Sequence, residues 1–203
     1  MKGIKSLAFG AMLVLISACS DAPFGFVHLP AAENQIRVDK GAETQPAYDI
    51  RGAEVSVPRA LSVSEENQIY PWADIVWRGD PPGDRYDQVA AIFQEAATEL
   101  SDRMTAGAPV VMEIEVRGFH ALTEKARYGY GGNYSISFDI ALRDAASGAE
   151  VRPVERVNIV EPAAWGQQAA DNEARGLTQK VMVTRLIVQA IERHLSRPLR
   201  PGA

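Results

Sequence analysis

One thiol, three histidines and a few closely spaced carboxylates are the groups in this sequence that bear on chemistry. The thiol is Cys19, the only cysteine. It follows a basic start, Met1-Lys2-Gly3-Ile4-Lys5, an apolar run from Leu7 to Ile16, and the small pair Ser17-Ala18. That order makes a secretory signal peptide. The apolar run has about ten residues, well short of the ~20 that cross a bilayer. Residues 1–18 therefore read as a leader.

The remaining candidates read more plainly. Asp80, Asp84 and Asp87 flank a Gly-Pro turn, but their spacing lacks the calcium-loop pattern. They read as a turn and a helix cap. His28, His120 and His194 have no i, i+4 spacing and no HExxH. No Gly-x-Ser-x-Gly elbow and no Gly-Lys-Ser/Thr phosphate loop occurs. The expectation is no catalytic set, no metal and no cofactor. Glu113 and Glu115 share one face of a predicted strand, which leaves a hydrolase acting on peptidoglycan or lipid as a minor alternative. The most promising interaction site is the segment 125–133, where Lys125, Arg127, Tyr128 and Tyr130 gather cationic and aromatic groups on a loop tip. Trp72, Trp77 and Trp165 read as core or rim residues.

The elements that position these groups follow from periodicity. Residues 49–58 end in alternation, with Ala53, Val55 and Val57 opposite Glu54 and Ser56, and predict a strand closed by Pro58. Residues 73–78 predict a second, short strand. Asp84 caps a helix whose apolar face is Val89, Ile92, Phe93, Ala96 and Leu100. Residues 110–119 and 134–143 alternate cleanly and predict two half-buried strands. Residues 151–160 predict a third. The last helix starts near Leu177 and stops before Pro198.

This order, β-α-β-β-(β)-α, predicts an α+β two-layer sandwich with two helices on one face of a largely antiparallel sheet. The chain divides into a leader at 1–18, Cys19 with a tether to 48, a globular domain at 49–197 and a tail at 198–203. The tether contains Pro23, Pro30, Pro46, Gly25 and Gly41. Residues 20–48 could reach ~100 Å fully extended, or ~30 Å as a flexible coil. Losing Lys2 and Lys5 with the leader leaves 19 of the 21 basic residues against 26 acidic ones, a net charge of −7. Such a chain is a poor partner for nucleic acid.

Ile16-Ser17-Ala18-Cys19 resembles a bacterial lipobox. The resemblance implies a diacylglycerol on the Cys19 thiol and a further acyl chain, such as palmitate, on the new amino terminus. Two or more chains anchor a protein stably. Ser20 stands where similar proteins held in the inner membrane carry Asp, which points to the outer membrane facing the periplasm. The lipobox, the segment Trp72–Asp80, the strand Pro109–Val116 and the last helix together resemble an uncharacterised family of small alphaproteobacterial lipoproteins. More loosely, the element order is similar to auxiliary lipoproteins of lipid-transport ABC systems and to the amino-terminal domain of the Tol-Pal translocation protein. These resemblances imply a non-enzymatic periplasmic lipoprotein, an accessory or adaptor for another envelope protein or a lipid. The alternative is a subunit of an oligomeric transport or secretion assembly, joined through the edge strand near Val55.

Overall fold

A computed structural model describes residues 48–197, all within one compact unit, Gly41–Ala203. Cys19, the leader, most of the tether and the tail lie outside the described residues. The elements run β1 (Tyr48–Ser56), β2 (Ile75–Val76), α1 (Arg85–Arg103), β3 (Ala108–His120), α2 (Glu124–Gly129), β4 (Asn133–Asp144), β5 (Glu150–Pro162), α3 (Gly166–Ala174) and α4 (Gln179–Leu195). They build an α+β domain around a five-stranded sheet of order β1-β3-β4-β5, with β2 beside the end of β3.

Alternation decides which side chains enter the core. On β3, Val110, Met112, Ile114 and Val116 are buried; on β4, Tyr134, Ile136, Phe138, Ile140 and Leu142 are buried. The helices α1 and α4 bring Val89, Ile92, Phe93, Leu100, Val183, Ile187, Val188 and Ile191 to the same core. An aromatic chain ties the layers together. Trp77 meets Phe119 edge-on at 5.6 Å, Phe119 lies 6.3 Å from Phe93, and Phe93 meets Phe138 at 5.1 Å.

Three features differ from the pattern reading. First, β1 and β2 run parallel to β3, while β3-β4 and β4-β5 are antiparallel. A period of two tells faces apart but not strand direction, and the connection carrying α1 is long enough for a parallel crossover. Second, residues 124–129 form the helix α2, capped by Thr123, within a segment expected to be a loop tip. Third, α3 adds a fourth helix, so the long pair α1 and α4 is joined by a short pair, α2 and α3, that pack on each other. This short pair follows β3 and β5 at the end of the sheet where β4 begins.

The three carboxylates around the Gly-Pro turn act as the expected cap and as pairing partners. Asp84 caps α1 by accepting from the Tyr86 and Asp87 amides at 2.9 and 3.2 Å. Asp80 accepts from Trp77 Nε1 at 2.9 Å and pairs with Lys180 at 3.1 Å. Asp87 pairs with Arg59.

A buried polar group sits under the end of α4. Arg152, 2 % exposed, donates to the Arg197 carbonyl. His194 is also buried, with Glu155 Oε2 3.3 Å from its Nε2 but not aligned for a hydrogen bond. Burial, and then the Arg152 charge, lower the His194 pKa, with Glu155 partly opposing them. Protonation therefore favours the unfolded chain. Stability is full above the ordinary histidine value of 6.5 and falls as pH drops through it towards the lower folded value. Thermal melts between pH 7.5 and 5 should show this slope, at most ~1.4 kcal/mol per pH unit for one proton. His194→Gln should flatten it; an unchanged slope in that variant would assign the effect elsewhere.

Candidate interaction surface

The segment after β3 is held from several sides. Gln179, buried at the start of α4, accepts from the Leu122 amide and donates to the Leu122 carbonyl, both at 3.1 Å. Thr123 Oγ1 caps α2 by accepting from the Ala126 amide and donates to the Gln68 carbonyl. The Lys125 amide donates to Asn67 Oδ1 at 2.9 Å. These bonds join α2 to the long connection 57–74.

That connection is pinned in turn to α1. Glu65 receives a two-pronged pair from Arg85, at 2.6 and 2.9 Å. Arg85 is 4 % exposed and also donates to the Asp80 and Pro81 carbonyls and to Gln88. Arg78 bridges the Glu65 carbonyl at 2.7 Å and the Glu124 carboxylate at 2.6 Å. The Arg85 hydrogen bonds hold the Glu65 carboxyl below its ordinary pKa. Burial pushes the Glu124 carboxyl up, but the Arg78 hydrogen bond and nearby charges more than offset it, leaving a lowered value.

The four residues expected to form the interaction loop part company. Lys125 and Tyr130 are exposed. Arg127 turns inward, is buried, and pairs with Glu173 of α3 at 2.9 Å. Tyr128 donates to the other Glu173 oxygen at 2.6 Å, which raises the tyrosine pKa. Arg127 and Tyr128 thus bind α2 to α3; Arg127 is buried in that contact, while the Tyr128 ring stays exposed.

The same end of the domain exposes further aromatics beside Tyr130. Trp72 is 100 % exposed, Tyr70 83 %, Tyr130 64 % and Trp165 52 %. Tyr70, Trp72 and the Gly131-Gly132 backbone border a groove of about 270 Å³, floored by Val76, Ala121, Leu122 and Ala126. Gly131 has φ +81, and a Cβ there would meet the Trp165 ring at 2.9 Å. Glycine at 131 therefore lets the indole lie against the chain beside the groove. His120 Nε2 contacts the Ala73 carbonyl and fixes the segment next to Trp72. The sequence signal for this surface is Tyr70-Pro71-Trp72, two aromatics in a non-periodic, polar stretch.

A larger cleft, about 510 Å³, lies on the wet sheet face. Four of its five charged lining residues are paired, and Glu54, opposite Glu113 in the β1–β3 register, is not paired among the described residues. Glu113 pairs with Arg143, Glu115 with Arg117, and Asp139 with both Arg117 and Arg156. The Arg156 and Arg117 hydrogen bonds lower the Asp139 pKa. Glu113 and Glu115 do share one face, as the alternation predicts, but each faces an arginine. Among the described residues no cluster of three His, Cys, Asp or Glu is placed to hold a metal ion. Nor is any described helix long and apolar enough to cross a membrane.

No curated protein matches the sequence. Among solved structures, a DUF330-family protein from Xanthomonas campestris is 17 % identical, with a TM-score of 0.42, over 76 % of this chain and 88 % of that one. A candidate lipoprotein from Caulobacter crescentus CB15 is 19 % identical, with a TM-score of 0.29, over 52 % and 76 %. The model of a family of unknown function, DUF6778, matches residues 48–202, and the chain belongs to that family.

Proposed function

We propose that this protein is a non-enzymatic lipoprotein of the cell envelope. It is anchored through acyl chains on Cys19, faces the periplasm from the outer membrane, and serves as an accessory or adaptor for another envelope protein or a lipid. The observation that carries this reading is the aromatic end of the domain. Exposed Tyr70 and Trp72 line a groove that Gly131 and Gly132 also border, exposed Tyr130 precedes those glycines and exposed Trp165 lies against Gly131, while the candidate carboxylates Glu113 and Glu115 are engaged by arginines on an open face. Exposed apolar patches of this kind mark binding surfaces.

The anchor has a direct test. Cells expressing the protein and fed labelled palmitate should incorporate label into it, and the protein should stay with membranes through high-salt and carbonate washes. Cys19→Ser, secreted behind a leader that is fully removed, should carry no label and appear in the soluble periplasmic fraction. A variant that remains in the washed membranes would mean that the acyl chains are not what holds the protein there.

A further inference from the structure

The geometry points to a bilayer-docking surface: Tyr70, Trp72, Tyr130 and Trp165 enter the interfacial zone of a phospholipid membrane. This inference rests on the anchored reading above and names the partner of the aromatic end.

Trp and Tyr are the side chains that settle at a membrane–water boundary, because the ring is apolar and the N–H or O–H stays wet. The exposed large hydrophobics around this groove are of those two types. Trp72 has its whole surface in water, as on a protruding edge rather than in a recess.

Charge fits the same partner. The described domain is acidic, yet three carboxylates at this end are matched, while Glu66 and Glu161 have no ion pair among the described residues. Glu65 pairs with Arg85, Glu124 with Arg78, and Glu173 with Arg127. Lys125 is exposed beside them. Those three carboxylate charges are neutralised by their arginines, and zwitterionic headgroups carry no net charge to repel the carboxylates that remain.

Chain length permits the contact. The tether joins the domain at Tyr48, which pairs with Ala108 at the start of β3, whereas the groove lies by His120 at its end. Twelve strand steps separate them by ~40 Å. Residues 20–48 reach ~100 Å at full extension, so a chain held at Cys19 can still bring its far end to the membrane. Anchoring makes this docking effectively intramolecular, which rewards even a weak surface.

The chain has three tryptophans, and Trp77 is fully buried, so it serves as an internal control. The unlipidated chain from Ser20 to Ala203, which contains the whole compact unit, is mixed with phosphatidylcholine vesicles carrying bromines high on the acyl chains. Trp72 and Trp165 emission should shift to the blue and be quenched. The pair Trp72→Ala and Trp165→Ala should weaken vesicle partition at least about tenfold, leave the Trp77 emission unquenched, and melt as the parent does. Trp72→Tyr should recover most of the partition. Absence of quenching in the parent at millimolar lipid overturns the inference. So does unchanged partition of the double variant, which would place binding in the tether. Partition that requires anionic lipid and vanishes in salt also overturns it. If the parent ignores vesicles but crosslinks an envelope protein only when both tryptophans are present, the occupant is a protein and the inference fails. Palmitate labelling separates the two readings: a labelled chain with unquenched tryptophans overturns docking alone, and an unlabelled chain with quenched ones overturns anchoring alone.

Discussion

Phe93→Ala should lower stability by about 3–5 kcal/mol, the usual cost of truncating a buried aromatic. Phe93 is fully buried on α1 and sits between Phe119 of β3 and Phe138 of β4. Its ring is the link by which the helix layer grips two central strands. Removal forfeits the transfer energy of the ring, its two edge-to-face contacts, and whatever packing the cavity cannot recover. For a domain of this size each kcal/mol lowers the melting midpoint by ~2–4 °C, so a drop of ~6–20 °C should appear by circular dichroism. Val160→Ala is the control, since Val160 is 64 % exposed; it should shift the midpoint by no more than about 2 °C. A loss below 1 kcal/mol at Phe93 would show that the core can collapse around the gap and that the aromatic chain is not its keystone.

The parts of this fold that were legible in the sequence are those set by local repetition. Val110, Met112, Ile114 and Val116 alternate with charged residues, and all four are buried. Asp84 before an apolar stripe marks the start of α1, and it does cap that helix. Strand direction was not legible, because reversing β1 leaves its alternation unchanged. The helix α2 has only six residues, too few for periodicity to register. Its signals are the Thr123 cap, Glu124 in the first turn and Arg127 in the last. The helix α3 lacks even a side-chain cap, and its stop is the positive-φ Gly176.

The binding surface was harder still, because partners far apart in sequence decide which side chains remain outside. Arg127 looked like an available cation until Glu173, on a helix the pattern did not reveal, drew it inward. Lys125, on α2 rather than on a loop, and Tyr130, at its C-cap, are exposed. Trp72 and Tyr70 were placed on the outside by a connection whose fixed course depends on Glu65, Asn67 and Gln68 bonding to α1 and α2. No spacing rule reports pairs of that kind.

The Glu65–Arg85 pair tests whether that connection is in fact rigid. Glu65→Ala strips two charge-assisted bonds from a guanidinium that is 4 % exposed. Breaking a fully buried pair costs ~3–5 kcal/mol. The Glu65 side chain is 55 % exposed, so water can replace part of what is lost, and about 1–3 kcal/mol is expected. Arg85→Met should cost less than the sum of its parts implies, since it removes the charge together with its need for a partner. In the double variant the two effects should be non-additive by at least ~0.5 kcal/mol. The pair also has a pH signature. The Glu65 pKa is depressed by Arg85 in the folded chain, so its contribution is present above the ordinary glutamate value of 4.5 and is lost as pH falls through the lower folded value. Limited pepsin digestion should therefore open the 57–74 connection as pH drops below about 4.5, and Glu65→Gln should be cleaved there already at the upper end of that range. Additive losses, or equal cleavage of parent and variant, would mean that the ion pair does not hold the connection and that Trp72 owes its position to the connection's other bonds, from Arg78, Thr123, Lys125 and His120.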